Sequence, residues 1–468
     1  MSAHTDLPRR AELISSLDEK YVSNAVTFAA MHAAGTMIVD GAPLRGPDGT
    51  LDRAAIRRRV ERLSWFAPAM RQRLVPTLLR FTTPAWVPVT SLDLDYHVRF
   101  AEGIEPDDPT RVERFTGRLS PTMDPSRPLW DFEFVELDSG RVAIVMRYHH
   151  VVGDAMYGLR IGDVIAGTAA MAEPPEPGEE QYLELGIPPR NGIEVLALAF
   201  AQWRSRHPGV RQAWRAYWRK SFRMRLRRWG GRLLRPVKNA RIARTGLLDD
   251  VREGRRSAYE AVDLAAATRR AYKLGGTVND LVTAATLVAM ARQRPDAETL
   301  SILVPISRRG AGDGGVRNDI SVVKVAVAAS APLEQIVPSV RAQVQAAVDS
   351  GGSVVEGAED WVGYATSVTW GRDDRFFGTA AVETVTGWPA GDPRDEVACL
   401  ACSYRRELVI SVTARSSVDL PALMAVYREL LAPVPVPVPV AAGAPGGAPA
   451  GAPSGASGRV DPVAGVAG

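Results

Sequence analysis

Cysteine is nearly absent: two residues in 468, Cys399 and Cys402. No disulfide framework can hold this chain together, and a C-x-x-C pair with no second Cys/His pair at metal-ligand spacing gives no zinc site. Both sulfurs fall in VACLACSYRRELVIS, whose alternation reads as a strand hairpin, so core packing is expected of them. Long apolar runs are missing as well. No stretch reaches the 18 or more uninterrupted apolar residues that a membrane-spanning helix needs. The opening MSAHTDLPRR carries no apolar signal region, and a cytoplasmic protein is expected. Histidine is the third scarcity, with six residues in all.

With 46% hydrophobic content the chain can bury a large core, and its length suggests two or three domains. RAAIRRRVERLSWFAPAMRQRL has apolar residues at helical spacing, Ala55, Val60, Leu63 and Phe66. WDFEFVEL (130–137) and RVAIVMRYHH (141–150) read as antiparallel strands joined by the turn Asp138-Ser-Gly140. TVNDLVTAATLVAMARQ (277–293) reads as a buried helix, LSILVPIS and ISVVKVAVA as strands, and EQIVPSVRAQVQAAVDS as a helix. These elements predict an α+β protein with an amino-terminal half over 1–190, a crossover over 191–258 and a second half over 259–432. From 433 to 468, PVPVPVPV and Gly/Ala/Pro/Ser repeats predict a disordered tail.

Two of the six histidines are adjacent, in RYHHVVGDAMY (147–157). On a strand, side chains alternate, so Val142, Ile144, Met146, Tyr148 and His150 share one face and His149 points to the other. Neighbours on opposite faces cannot aim at one ion, and no metal site is expected. Two readings remain open: core histidines satisfied by backbone carbonyls, or one imidazole acting as an acid/base at a strand end that opens into a loop.

HHVVGDA resembles the His-His-x-x-x-Asp-Gly signature of the CoA-dependent acyltransferase superfamily. That superfamily takes in chloramphenicol acetyltransferase, condensation domains of peptide synthetases and the bacterial wax ester synthase/diacylglycerol acyltransferase family. Further segments resemble the last of these, in its order: ISSLDEKYV, LDLDYHVRF (92–100), SRPLWDFEFVE (126–136), VNDLVTAA (278–285), and ILVPISRRG followed by RNDIS. The resemblance implies two chloramphenicol-acetyltransferase-like domains with mixed sheets and an active-site tunnel at their interface. It makes His150 the general base of a direct acyl transfer, with acyl-CoA as co-substrate and no other cofactor. Asp154, paired with a nearby arginine, would hold the loop that presents His150, and His149 would support the site from the opposite face. Asn279 and Asp280 would contact substrate across the interface, although Asn279 fits a helix N-cap equally. Trp130, with Pro128 and Leu129, would pack beneath the site and border the substrate. Two departures stand out. Ala155 replaces the family's glycine, which would cost about 1–2 kcal/mol if the backbone there were left-handed. Thr366–Gly371 replaces its Ser-Asn-Val-Pro-Gly-Pro stretch, which suggests a remodelled acceptor site.

The net charge of +4 hides an asymmetry: Arg204 to Arg244 holds fifteen Lys/Arg and no Asp/Glu, leaving the remainder acidic. Val210, Trp214, Trp218, Phe222 and Leu226 recur every four residues there, and Trp229 and Leu233 continue the stripe. Pro208 and Pro236 frame an expected long helix. Three readings fit it: an interdomain crossover that packs its stripe, a helix on an anionic membrane or lipid droplet, or attraction for CoA phosphates or other polyanions without nucleic-acid specificity. The function expected from the whole is an acyl-CoA-dependent O-acyltransferase acting on diacylglycerol or a fatty alcohol. Transfer to a specialised metabolite and a silent lipid-binding homologue are the alternatives.

Overall fold

The computed structural model describes residues 7–15, 18–80, 82–107, 123–206, 215, 219, 221–243, 255–309, 317–350, 361–392 and 394–431. The expected tail at 433–468 lies outside them, as do Pro208, Val210, Trp214 and Trp218 of the basic segment. Strands β1 (Glu12–Leu13), β3 (Gln72–Val75) and β4 (Ala85–Pro88) form a small sheet in the order β1-β4-β3. A six-stranded sheet gathers β2 (His32–Val39), β5 (Val98–Glu105), β6 (Trp130–Leu137) and β7 (Val142–His149). A second six-stranded sheet holds β8 (Arg255–Asp263), β9 (Thr299–Ser307), β10 (Ile320–Ala328), β11 (Gly363–Thr369), β14 (Val397–Tyr404) and β15 (Glu407–Arg415). Its order is β10-β9-β11-β14-β15-β8, mixed because β11 runs parallel to both neighbours. The remaining strands, β12 (Phe376–Phe377) and β13 (Ala380–Trp388), leave this half and complete the first large sheet as β12-β13-β2-β7-β6-β5.

That exchange changes the division expected from the sequence. Residues 259–432 are not a self-contained half, because β13 pairs antiparallel with β2. β8 also begins at Arg255, inside the segment assigned to the crossover. The two sheets meet in one core, where Trp130, Phe132, Phe134, Ile144 and Tyr148 pack with Trp370, Phe377, Val385, Leu400 and Tyr404. Every residue of β7 is buried, since Ala143 and Val145 fill a second cluster on the opposite face with Val135 and Leu137. Each large apolar side chain so buried stabilises the fold by about 1.5–3 kcal/mol. The turn between β6 and β7 closes at Gly140, whose φ of 85° suits a residue without a Cβ.

Among the helices, α1 (Arg53–Leu63) buries Ile56, Val60 and Leu63. Val60 and Leu63 are thus buried as expected, while Ile56 replaces the partly covered Ala55 and Phe66 falls in a separate 3-10 turn. After β7 comes α2 (Ala155–Ile165), followed by α3 (Gly192–Arg206). Among the described residues of the basic segment are α4 (Phe222–Leu233) and α5 (Arg235–Ala243), so the expected long helix is broken at Leu234. Pro236 lies in the first turn of α5, where its missing N–H is tolerated. The described part of the apolar stripe is exposed: Phe222 is 69% accessible and Leu226 50%, with Trp229 and Leu233 also uncovered. In the second half, α6 (Val278–Gln293), α7 (Leu333–Asp349) and α8 (Leu420–Leu431) cover its sheet. No single described helix is long and apolar enough to cross a membrane. Cys399 and Cys402 are free and buried in β14, where burial pushes their thiols up to about 11 and about 12, values that suit packing rather than redox chemistry.

Candidate active site

β7 ends at His149, and the chain turns at His150 before entering α2. The main chain of His150 is pinned on both sides: its N–H donates to the Met31 carbonyl at 2.7 Å, and its carbonyl accepts from Asn318 Nδ2 at 3.0 Å. The ring is half-buried, with the Tyr21 ring 4.8 Å away between centroids. Burial lowers the His150 pKa below the usual imidazole value, against the upward pull of the Asp154 carboxylate and of Asn318. The imidazole is therefore neutral near pH 7 and able to accept a proton.

Asp154 is the hub of the loop. Its Oδ1 caps α2 by accepting from Tyr157 N at 3.0 Å, while Oδ2 pairs with Arg309 Nη2 at 2.7 Å and accepts from Asp319 N at 3.2 Å. Its own N–H donates to the Arg317 carbonyl at 3.1 Å, which also accepts from Arg309 at 2.8 Å. The arginine expected from the resemblance is thus Arg309, at the end of ILVPISRRG, and the pair ties the histidine loop to the segment between β9 and β10. Both side chains are buried. Ala155 is the first residue of α2, and the described non-glycine residues with positive φ are Leu79, Arg80 and Arg405, so alanine introduces no strain there.

The other assigned residues are placed differently. His149 is fully buried, stacked on Phe28 at 4.4 Å and edge-on to His32 at 5.3 Å. Its Nδ1 accepts from Val151 N at 3.1 Å, and burial, with His32 and His150 adding to it, holds its pKa well below the usual value. It supports the end of β7 rather than facing a substrate. Trp130 is a packing residue, not a substrate contact: its indole donates to the Met70 carbonyl at 2.7 Å, and its ring stacks on His97 at 4.3 Å. Thr277 is the N-cap of α6, which removes Asn279 from that role. Asp280 closes the capping box by accepting from Thr277 N and Oγ1, each at 2.8 Å. Among the described residues no hydrogen bond joins Asn279 or Asp280 to the histidine loop, so the substrate role assigned to both has no geometric support.

The replaced stretch Thr366–Gly371 buries Val368 and Trp370 and exposes Thr369. It runs along β11 to Trp370, whose indole donates to Asp163 of α2 at 2.8 Å, with the Arg375 guanidinium 4.4 Å from the ring centroid. A Cβ at Gly162 would come within 3.0 Å of that ring, so glycine lets α2 approach it. Sequence reasoning missed Asn318, Tyr21 and Asp18, although RNDIS and ISSLDEKYV contain them. Asp18 accepts from Ser15 Oγ at 2.9 Å, and burial raises its pKa against hydrogen bonds from Ser15 and Asn318. Asn318 thus stands between Asp18 and His150.

Comparison with known proteins bears on the family and the fold. The family model for the wax ester synthase/diacylglycerol acyltransferase catalytic domain matches residues 15–282. A Mycobacterium tuberculosis H37Rv protein named as a diacylglycerol O-acyltransferase is 28% identical over 324 residues, 63% of this chain and 61% of that protein. Another from the same strain is 38% identical over 88 residues, 18% of each chain. The chain thus spans about three-fifths of the length of the first of these relatives. Among solved structures, the wax ester synthase/diacylglycerol acyltransferase from Marinobacter aquaeolei VT8 superposes with a TM-score of 0.56 at 16% identity, covering 90% of this chain and 98% of that one. The first condensation domain of the calcium-dependent antibiotic synthetase gives 0.55 at 14% identity, covering 91% and 95%. These two likenesses show the fold, and the match over 15–282 shows the lineage: the chain belongs to the wax ester synthase/diacylglycerol acyltransferase catalytic-domain family.

Proposed function

We propose that the protein is an acyl-CoA-dependent O-acyltransferase that esterifies diacylglycerol or a long-chain alcohol, with His150 as general base. The observation that carries this reading is a neutral, half-buried imidazole whose backbone is clamped by Met31 and Asn318. His150 takes the hydroxyl proton as the alcohol oxygen attacks the thioester carbonyl. The C–S bond then breaks, and the imidazolium returns the proton to the departing CoA sulfur. Acyl transfer is direct, so no acyl-enzyme forms. Purified protein with a long-chain acyl-CoA and diacylglycerol or hexadecanol should release free CoA, read with a thiol reagent. No release with any hydroxylated lipid would remove the lipid assignment.

The depressed pKa of His150 fixes the sign of the pH dependence. The active form is the neutral one, so activity persists as the pH drops past the ordinary imidazole value of about 6.5 and falls only when the lowered His150 pKa is reached. The acidic limb of a kcat/KM profile should therefore lie below that value. A limb at or above it would contradict the environment described for the ring.

A lipid acceptor has to be reached at a surface, and α4 supplies features that suit one. Phe222, Leu226, Trp229 and Leu233 are exposed at helical spacing, and Arg223 and Arg227 are exposed beside them. The helix lies against the turn that displays Leu78 and Leu79. Arg232 and Arg235 pair with Glu19 at 2.8 and 3.2 Å, two residues from Tyr21, which brings this face close to the histidine. Peripheral binding to an anionic membrane or lipid droplet on the cytoplasmic side fits apolar residues ringed by arginine. Each arginine near such a surface contributes about 1 kcal/mol, about fivefold in affinity. Sedimentation with phosphatidylserine vesicles should weaken by about that factor for Arg223→Gln and again for Arg227→Gln, and fall steeply with salt. Salt-insensitive sedimentation would end the membrane reading.

A further inference from the structure

Three consecutive residues grip the histidine loop from the segment before β10. The Arg317 carbonyl accepts from Asp154 N at 3.1 Å, Asn318 Nδ2 donates to the His150 carbonyl at 3.0 Å, and Asp319 N donates to Asp154 Oδ2 at 3.2 Å. Only Asn318 acts on the histidine directly. The two nitrogens of the His150 ring differ. Nδ1 is buried with no hydrogen-bond partner among the described residues, and Nε2 is not sealed in this way. Nε2 is therefore the nitrogen that an acceptor hydroxyl can approach. To take a proton it must be bare, so the neutral ring has to carry its own proton on Nδ1. A buried N–H left without an acceptor costs about 1–3 kcal/mol, so this tautomer calls for an oxygen beside Nδ1.

The nearby oxygens are mostly taken. Asp154 acts on the ring by its charge, but its Oδ1 accepts from Tyr157 N and its Oδ2 from Arg309 and Asp319 N. The His150 carbonyl already accepts from Asn318. Asn318 Oδ1, by contrast, is buried and has no donor among the described residues. The Asp18 carboxylate and the His150 carbonyl both attract the Nδ2 end of this amide, which settles which end is nitrogen. We propose that Asn318 is a positioning residue for His150: while Nδ2 holds the carbonyl, Oδ1 accepts the Nδ1 proton and so keeps Nε2 bare. The same oxygen keeps its bond to Nδ1–H when Nε2 takes the hydroxyl proton and the ring becomes imidazolium. The role in turnover, though not the tautomer, rests on His150 being the general base.

Long-range proton–nitrogen correlation NMR on the full chain, carrying isotope-labelled histidine, reads the ring protons directly, and the His150→Ala spectrum identifies the signals. At neutral pH, where the ring is uncharged, wild-type His150 should carry its proton on Nδ1. Asn318→Leu keeps the bulk and removes both ends of the amide. It should lose the Nδ1–H signature and lower kcat about tenfold, the worth of one hydrogen bond, with KM for acyl-CoA unchanged. Asn318→Asp, which keeps an acceptor, should keep Nδ1 protonated. A wild-type proton on Nε2, Nδ1–H persisting in Asn318→Leu, unchanged kcat in that variant, or a bare Nδ1 in Asn318→Asp overturns the assignment. Should Asn318→Leu lose the native circular dichroism spectrum, the wild type and Asn318→Asp decide. Wild-type Nδ1–H without any CoA release supports the tautomer and removes only the reading of His150 as base.

Discussion

Replacing His150 with alanine should lower turnover by about 10²- to 10⁴-fold, the range that a positioned proton acceptor contributes. Folding should be nearly untouched, because the two contacts that fix this position are made by its backbone N–H and carbonyl, which alanine keeps. Free CoA release and a thermal melt on the same preparation separate the two effects. Residual turnover would come from holding thioester and alcohol together. Unchanged turnover in the variant would move the chemistry off this ring, and a wild-type protein that binds lipid without turning it over would mark a silent homologue.

Asp154→Asn should lower stability sharply, because it breaks a buried ion pair. Asparagine remains a good helix N-cap, so the bond to Tyr157 N survives, and what is removed is the Oδ2 oxygen that pairs with Arg309 and accepts from Asp319 N. Breaking a buried ion pair by removing one partner costs about 3–5 kcal/mol. The loss should appear as a lowered melting temperature and as faster amide exchange in residues 150–158 and 317–320 together, since the pair joins those two segments. Arg309→Met should reproduce the same joint exchange pattern. If exchange quickens at only one segment, the ion pair is not what couples them.

The parts of this molecule governed by local pattern were readable from residues alone. Alternation in 130–149, closed by Gly140, gave the β6–β7 hairpin, but the strand stops at His149, so His150 sits in the turn rather than on the strand face expected for it. The signature resemblance then supplied the role of Asp154 and the need for an arginine, though not which arginine. What escaped was set by distant packing. Asn318 reaches His150 across 168 residues, and no periodicity in either segment encodes that meeting. Tyr21 reads as an ordinary helix residue until the ring beside it is known. The motif containing Asn279 and Asp280 implies substrate contacts, yet local capping with Thr277 accounts for Asp280. On α1, Val60 and Leu63 are buried as the spacing predicts, and only Ala55 gives way to Ile56, because alanine is too small to fix its end of the face.

The strand exchange by β13 has a consequence for how the chain is made. On the ribosome, β2 and β7 emerge early, but the partner that covers the outer edge of β2 is not synthesised until Trp388. At about 5–20 residues per second that delay is roughly 10–50 s. Throughout it the nascent sheet presents the unpaired backbone of His32–Val39, the kind of template on which strands of other molecules add. A chaperone is therefore a natural companion to translation here, and release of the chain before Trp388 should yield aggregates rather than a soluble amino-terminal fragment.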